Sequence, residues 1–166
     1  DVGRGQLDSR LARGARVHVI DRVNARYLTR AQLPYEPDFL TMDVSFISIA
    51  KVLPAVVACL GARFEGLVLV KPQFEAGRAA VGKGGIVRES MVHREVLIAR
   101  GRFVIEELGL CLLGVCASGL RGADGNREFF FHLGRGREKG LELDRLEAVV
   151  DGVVREGEMT ASGADA

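Results

Sequence analysis

The sequence has few cysteines and no long apolar run, and each absence excludes a class of protein. Its three cysteines, Cys59, Cys111 and Cys116, lie among apolar neighbours without a C-x-x-C pair. This pattern predicts buried, reduced thiols rather than a redox or metal site. No apolar stretch approaches the roughly 20 residues that cross a bilayer, and the N-terminus lacks the layout of a signal peptide. We therefore expect a cytoplasmic protein without a membrane partner.

A strong net charge is also absent. The chain has 23 lysines and arginines against 22 acidic residues among its 166 residues. No global field favours a nucleic-acid partner, so any basic surface must be local. The three histidines are scattered, and no metal site is predicted. A hydrophobic content of 48% is typical of a globular domain with a core of its own.

The apolar patterning predicts strands that alternate with helices. The run at 67–70 is unbroken, which is typical of a strand covered on both faces of a parallel sheet. The last two strands are joined by the turn signal Asp124-Gly125-Asn126 and should pair antiparallel. The predicted strands are 16–21, 38–45, 66–71, 110–118 and 127–133, and the predicted helices are 5–13, 46–60, 90–108 and 141–155.

These elements describe an open α/β sheet, mostly parallel, with one antiparallel strand near an edge. We expect the sheet domain to cover residues 1–134, a helical extension to follow at 135–155, and a small, polar and disordered tail to occupy 156–166. The chain begins at Asp1 as though in mid-motif, with a strand end and a turn. We therefore expect the strand before it to be missing.

Chemistry is expected where the parallel strands end, because open α/β sheets bind ligands outside their carboxyl ends. Asp43 and Lys71 close consecutive strands, and neighbouring strands lie roughly 5 Å apart. An antiparallel strand begins where its parallel neighbours end, so Glu128 should rise beside Lys71. The sequence thus predicts a lysine flanked by two carboxylates.

Each of these residues also has a purely structural interpretation. The amine of Lys71 could extend to solvent from a strand end. Asp43 could cap the helix that is predicted to begin near Phe46. Glu128 could be an ordinary charge on an edge strand.

The glycine-rich stretch after Lys71 has two further interpretations. Its segment "GRAAVGKG" at 77–84 matches the first seven positions of a phosphate-binding loop, but Gly84 stands where Ser or Thr should hold magnesium. A nucleotide triphosphatase is therefore disfavoured. The basic residues Arg78, Lys83 and Arg88 could instead bind a nucleic-acid phosphate backbone, or the loop could be merely mobile and solvated.

Five blocks of the sequence, "DVGRGQLD", "MDVSFIS", "LVLVKPQFEAGR", "VGKGGIVR" and "SGLRGADGNREFF", resemble the TlyA family of ribosomal RNA 2′-O-methyltransferases. These proteins are relatives of the FtsJ enzymes and are sometimes labelled haemolysins. The resemblance implies a class I (Rossmann-like) methyltransferase sheet, S-adenosylmethionine as cofactor, and ribosomal RNA or ribosomal subunits as partner. It also implies that the sheet's first strand, the cofactor's glycine-rich loop and an N-terminal RNA-binding domain are missing from this chain.

The resemblance assigns roles to individual residues. In the family's Lys-Asp-Lys-Glu tetrad, Asp43, Lys71 and Glu128 match the last three members, and the first lysine would precede this chain. Asp1 matches the acid that binds the cofactor ribose, Asn24 and Ala25 lie where adenine is usually read, and Asp43 also faces the cofactor.

Lys71 could act as a general base or as a hydrogen-bond donor that orients the ribose hydroxyl. Neighbouring carboxylates hold an amine protonated, which favours orientation. A competing hypothesis is an inactive fragment that only contacts RNA. A cytolysin has little physical support, because the chain lacks an apolar span or a strongly basic amphipathic helix.

Overall fold

A four-stranded sheet forms the centre of the computed structural model, which describes residues 1–122, 124–136 and 139–162, with side chains as far as residue 156. Its strands are β1 (Phe39–Met42), β2 (Phe64–Val70), β3 (Cys111–Arg121) and β4 (Arg127–Arg135). The helices are α1 (Ser9–Ala12), α2 (Ile49–Val57), α3 (Pro72–Glu75), α4 (Ser90–Arg102) and α5 (Leu143–Ser162). Short 3₁₀ turns cover Ala25–Tyr27, Arg30–Gln32 and Arg78–Ala80.

The strand order is β1-β2-β4-β3, with β1 and β2 parallel and β4 antiparallel to both of its neighbours. Strand β3 therefore runs in the same direction as β1 and β2. The predicted fold class, a mostly parallel α/β sheet with one antiparallel strand near the edge, is confirmed. Strand β4 starts at the edge of the sheet where β1 and β2 end, which brings the predicted site residues to one side of the molecule.

The core lies at the centre of the sheet. Residues 68–70 are all buried, and three consecutive buried residues require cover on both faces of a strand. Phe129 and Phe131 of β4 are fully buried beside them, whereas Leu67 remains 39% exposed. Two-sided burial is thus confirmed for the carboxyl half of β2, the half that leads to Lys71.

The predicted strand at 16–21 is wrong: the structure has no strand there. The N–H of Val17 donates to the carbonyl of Gly14 within a local turn. The segment meets residues 1–3 through bonds at its end, from the amine of Asp1 to Ile20 and from the N–H of Arg22 to Gly3. Because a strand needs a neighbour along its whole length, an apolar, β-branched sequence is not sufficient here.

Helix α2 begins three residues later than predicted, for a local reason. Phe46 has a left-handed backbone with φ of 62°, which is incompatible with a helical turn at that position. Ser48 then caps the helix by accepting a hydrogen bond from the N–H of Ala50.

The helical run that begins with α4 ends at Gly109, as predicted. Helix α4 itself ends at Arg102, a π-helical turn follows over Phe103–Glu107, and Gly109 then adopts φ of 61°. Helix α5 runs to Ser162, beyond the predicted helix end at residue 155; residues 163–166 lie outside the described part of the chain. The division into domains, with its disordered tail, stays a prediction.

The three cysteines are not joined in disulfides, and their predicted burial is only partly right. Cys59 is buried, Cys111 is half-buried and Cys116 is exposed on the outer strand β3. An edge strand has a neighbour on one side only, so an apolar sequence does not ensure burial there. Burial raises the pKa of the Cys59 thiol, which favours its neutral form.

Candidate active site

Lys71 and Asp43 form an ion pair at the carboxyl edge of the sheet. The Nζ of Lys71 lies 2.6 Å from Oδ1 of Asp43, and it donates a second hydrogen bond of 3.1 Å to the Oγ of Ser45. The Lys71 side chain is only 12% exposed, so the interpretation as a solvent-directed strand end is wrong. The alternative role of Asp43 as a helix cap is also wrong, because Ser48 caps α2.

The Lys71 amine has one N–H group available to donate a hydrogen bond to a ligand. A lysine ammonium has three N–H groups. Asp43 and Ser45 accept two of them, and no acceptor within the described ranges takes the third. The amine is therefore held in one orientation with one N–H uncommitted.

Glu128 lies beside this pair in the sheet but does not bind the amine directly. The pairing of Phe129 with Val70 places Glu128 next to Lys71 across the ladder. Its carboxylate accepts a 3.2 Å hydrogen bond from the side-chain amide of Gln73. Glu128 thus lies beside Lys71 as predicted, but its carboxylate contacts Gln73 and not the Lys71 amine. Its interpretation as an edge charge is wrong, since β4 lies inside the sheet.

Gly122 explains how the Glu128 carboxylate is kept in place. A Cβ atom on this glycine would lie 2.6 Å from Oε1 of Glu128. The hairpin backbone therefore packs directly against the carboxylate, and a side chain at position 122 would force the carboxylate to shift.

An exposed aromatic residue, Phe46, projects beside the ion pair and was missed by sequence reasoning. Its side chain is 90% exposed although its ring centroid lies 5.0 Å from that of Phe74. A bulky residue with positive φ is uncommon and strained, and such strain clusters at functional sites. An aromatic residue in a loop between a polar strand end and a helix cap is the sequence signal that could have indicated it.

A buried carboxylate, Glu75, lies behind the ion pair and was also missed. Its side chain is 1% exposed. It accepts hydrogen bonds from the Oγ of Ser48 at 2.6 Å and from the N–H of Ile49 at 2.7 Å. No local pattern distinguishes this glutamate from a surface one, because its partners come from distant parts of the chain.

The predicted cofactor residues lie together at the N-terminal end of the chain. The N–H of Val23 donates to the carbonyl of Asp1, which brings Asp1 next to Asn24. One carboxylate oxygen of Asp1 accepts from the N–H of Gly3, and the Oδ1 of Asn24 accepts from the N–H of Arg26. Ala25 packs against the core beside α2. The cofactor roles of these residues, and that of Asp43, stay predictions.

The three predicted RNA-binding residues are all exposed on the loop between α3 and α4. Arg78 lies in a 3₁₀ turn, Lys83 precedes two left-handed glycines, and Arg88 lines an open depression of about 500 Å³ with Val92. Their role in RNA binding stays a prediction.

The second half of this loop is anchored to the sheet. The buried side chain of Asn126 accepts a 2.9 Å bond from the N–H of Val87 and donates a 2.9 Å bond to the carbonyl of Gly85. Buried His93 lies 3.1 Å from the carbonyl of Val87. The alternative of a merely mobile loop is therefore wrong for this half. The turn signal alone does not predict this role of Asn126.

The phosphate-loop interpretation fails on geometry. In that motif the strand runs straight into the loop and the lysine opens a helix. Here α3 separates β2 from the loop, and α4 begins at Ser90, well after Lys83. Two left-handed glycines, Gly84 and Gly85, follow the lysine instead of a helical turn.

Within the described part of the chain, no group of three or more His, Cys, Asp or Glu side chains is placed to hold a metal ion. None of the helices in the same ranges has both the length and the apolar character that a membrane span requires.

Comparison with known proteins gives one consistent result. The family described as FtsJ-like methyltransferase matches residues 1–135. The 16S/23S rRNA (cytidine-2′-O)-methyltransferase TlyA of Mycobacterium tuberculosis is 41% identical over 157 residues, which cover 95% of this chain and 58% of that protein. Hemolysin A of Brachyspira hyodysenteriae is 36% identical over 133 residues, covering 80% of this chain and 55% of that protein.

A solved structure is also similar. A protein named as a hemolysin from Streptococcus thermophilus superimposes with a TM-score of 0.85 at 35% identity, over 98% of this chain and 59% of that one. The chain thus spans a little more than half the length of these relatives.

Proposed function

Because this chain belongs to the FtsJ-like methyltransferase family, we propose that it is the catalytic part of an S-adenosylmethionine-dependent enzyme that methylates the ribose 2′-hydroxyl of ribosomal RNA. The observation that carries the proposal is the Lys71–Asp43 ion pair at the carboxyl edge of the sheet. This is the edge where open α/β sheets bind their ligands. A ribosomal substrate would place the protein in the cytoplasm.

Lys71 is placed to orient the hydroxyl. Its Nζ lies 2.6 Å from Oδ1 of Asp43, and this contact favours hydrogen-bond donation by the amine over removal of a proton. Its uncommitted N–H would align the ribose oxygen for attack, and alignment of two reacting atoms accounts for much of a catalytic rate. The alkylated oxygen is strongly acidic and releases its proton to water.

The cofactor would supply an activated methyl group on a sulfonium centre. In this chain, the oxygen of Asp1 that Gly3 does not occupy would accept a ribose hydroxyl. The amide of Asn24 still has its two N–H groups for the adenine ring, since only Oδ1 is bound to Arg26. This donor and acceptor set fits the nucleoside half of S-adenosylmethionine. Ala25 follows Asn24 directly, and Asp43 would approach the cofactor from the end of β1.

The RNA would meet the exposed groups around this edge. The ring of Phe46 offers a stacking surface for a base, and base–aromatic stacking contributes about 1–3 kcal/mol. Arg78, Lys83 and Arg88 would contact phosphates, which makes binding salt-dependent. Together these groups lie on two loops that flank Lys71.

Methyl transfer to ribosomal RNA tests the proposal. Lys71→Ala in the intact protein should lower the rate by about 100-fold or more, since an orienting or proton-handling group typically contributes that much. Incorporation of labelled methyl groups into alkali-resistant dinucleotides measures the rate. Lys51→Ala, on the exposed face of α2, is the matched control and should transfer normally. A Lys71→Ala protein that transfers at the wild-type rate contradicts the proposal.

The competing hypothesis, a fragment that contacts RNA without catalysis, makes a different prediction for the cofactor. The 166-residue chain spans only part of the length of its relatives. Cofactor binding is therefore measured on this chain alone, to learn whether its own residues form the site. Calorimetry should detect S-adenosylmethionine binding that Asp1→Ala weakens. RNA binding without any cofactor binding would favour the competing hypothesis.

A further inference from the structure

Two short segments that follow β1 and β2 contact each other at three successive points. At the front, the amine of Lys71 binds Asp43 and Ser45. In the middle, the ring of Phe74 contacts the ring of Phe46. At the back, the carboxylate of Glu75 binds the start of α2. The segments 43–49 and 71–75 therefore form one unit, which we call the paired segments.

The back contact is the buried one. Glu75 is 1% exposed on its side chain, compared with 66% for Asp43 at the front. Moving a carboxylate out of water is costly unless hydrogen bonds and a cation compensate for it. The Ser48 hydroxyl and the Ile49 N–H supply two bonds, and the Nε of Arg100 on α4 lies 3.7 Å away.

Capping of α2 does not by itself account for this carboxylate. Ser48 already caps the helix by accepting from the N–H of Ala50. Glu75 takes a different N–H, that of Ile49, and comes from a segment 26 residues further along the chain. Its effect is to join the segment that carries Lys71 to the segment that carries Asp43 and Phe46.

The short helix α3 transmits this link to Lys71. Lys71 is its N-cap, and the Lys71 carbonyl accepts from the N–H of Phe74. Pro72 is buried and fixes the backbone at the first helical position. A displacement at Glu75 therefore has little freedom to relax before it reaches Lys71.

We propose that Glu75, supported by Arg100, is a positioning residue that sets the orientation of the Lys71 amine against Asp43. This inference rests on the proposed function for its catalytic consequence, because Lys71 must act in methyl transfer for its orientation to matter. The geometric part stands without that consequence, and the two parts are tested separately.

The geometric test is a lysine spectrum of the intact protein. This chain has only four lysines, Lys51, Lys71, Lys83 and Lys139, so ¹³C-labelled lysine gives few Cε resonances from it, and Lys71→Arg identifies the one of interest. Glu75→Gln keeps the size of the side chain but removes its charge and one acceptor. We expect the Lys71 resonance to move toward the position of an exposed lysine.

The matched control is Glu147→Gln. Glu147 also pairs with arginines, 2.9 Å from Arg94 and 3.7 Å from Arg102, but it lies on the surface of α5. Its replacement should leave the Lys71 resonance unchanged. A Lys71 resonance that is also unchanged in a folded Glu75→Gln protein overturns the proposal.

The catalytic test separates kcat from KM. A misplacement of about 1 Å at a reacting group costs up to about 100-fold in rate, so Glu75→Gln should lower kcat by about 10- to 100-fold. The KM for S-adenosylmethionine should stay within about twofold. Because a loss of folded protein would also lower kcat at constant KM, the variant must show the same thermal midpoint as the wild type. If Glu75→Gln moves the Lys71 resonance but leaves kcat unchanged, the catalytic part of the proposal is overturned.

Two outcomes distinguish this inference from the proposed function. If the wild-type protein transfers no methyl group but the Lys71 resonance still responds to Glu75→Gln, the geometric inference holds and the proposed function fails. If Glu75→Gln does not fold, Arg100→Met carries the same test. Arg100→Met removes the guanidinium beside Glu75 and keeps an aliphatic side chain on α4. This variant must then move the Lys71 resonance.

Discussion

The first 38 residues and the sheet that follows them are held together in different ways. In residues 1–38, all of which the structure describes, no side chain reaches full burial, and most hydrogen bonds join residues less than five positions apart. From Phe39 onward, strands and helices share one core, and several side-chain hydrogen bonds join residues 26 to 57 positions apart. The predicted cofactor residues lie mostly in the first region, and the predicted reacting groups lie in the second.

This difference shows how the two kinds of residue are positioned. Asp1 and Asn24 are oriented by turns that they form themselves, so their geometry depends on a few nearby bonds. Lys71 is oriented by Asp43 and Ser45 on another segment, and buried Glu75 joins the two segments. Segments with little buried apolar surface open at low free energy, whereas core strands open only with the whole domain. We expect residues 1–38 to become more ordered when a ligand binds, whereas the sheet from Phe39 onward is already ordered without ligand.

The largest contrast is expected in global stability. Phe131→Ala removes a fully buried ring from β4 and should lower the free energy of unfolding by about 3–5 kcal/mol. Val19→Ala, at a residue that is 39% exposed, should change it by less than about 0.5 kcal/mol. Urea denaturation of both variants measures the difference. Equal losses would contradict the distinction between the two regions.

A smaller effect, confined to activity, is expected from Gly122→Ala. The new Cβ would meet the carboxylate of Glu128 at 2.6 Å and displace it from Gln73. We expect a loss of about 10- to 100-fold in methyl transfer, with a thermal midpoint close to that of the wild type. Gly114→Ala, where a Cβ would have no neighbour within 4 Å, is the control. Full activity in Gly122→Ala would exclude a role for the position of Glu128.

The next effect concerns the glycine-rich loop. Asn126→Ala removes both bonds to Gly85 and Val87 and leaves buried backbone groups without partners, at a cost of about 1–3 kcal/mol. Hydrogen exchange at the Val87 amide should accelerate, although residue 126 is 39 positions away. Asn24→Ala should accelerate exchange only in its own turn. Unchanged protection of Val87 would show that the loop is held in some other way.

The smallest effect is expected at Asp8, in the first region. Hydrogen bonds from the Arg10 side chain and then from its backbone N–H lower the pKa of this carboxyl below its usual value. A lowered folded-state pKa contributes stability above the unfolded pKa, and the contribution is lost as pH falls through the folded value. Asp8 is fully exposed, so unfolding should not respond measurably. In Arg10→Ala an NMR titration should show the pKa rising part of the way, because the backbone bond remains.

Sequence patterns predicted much of the sheet and part of the site. Apart from the short helix α3, which was not predicted, the order of strands and helices from Phe39 onward is confirmed. The antiparallel hairpin and the stop at Gly109 are confirmed too, because apolar periodicity and turn residues act locally. The motif resemblance is confirmed by the family match over residues 1–135. The strand at 16–21 was wrong because strand formation depends on a neighbour that the local sequence does not specify.

What the sequence determined by itself is the chemistry available and the strand ends that carry it. Strand direction follows from connection type, so the convergence of Asp43, Lys71 and Glu128 on one edge could be predicted without coordinates. Only the tertiary structure decided that Glu128 binds Gln73, that Phe46 stands exposed in a left-handed conformation, and that Glu75 is buried against Ser48 and Arg100. Each of these depends on atoms that meet across long separations in the chain, and packing, not local preference, sets such contacts.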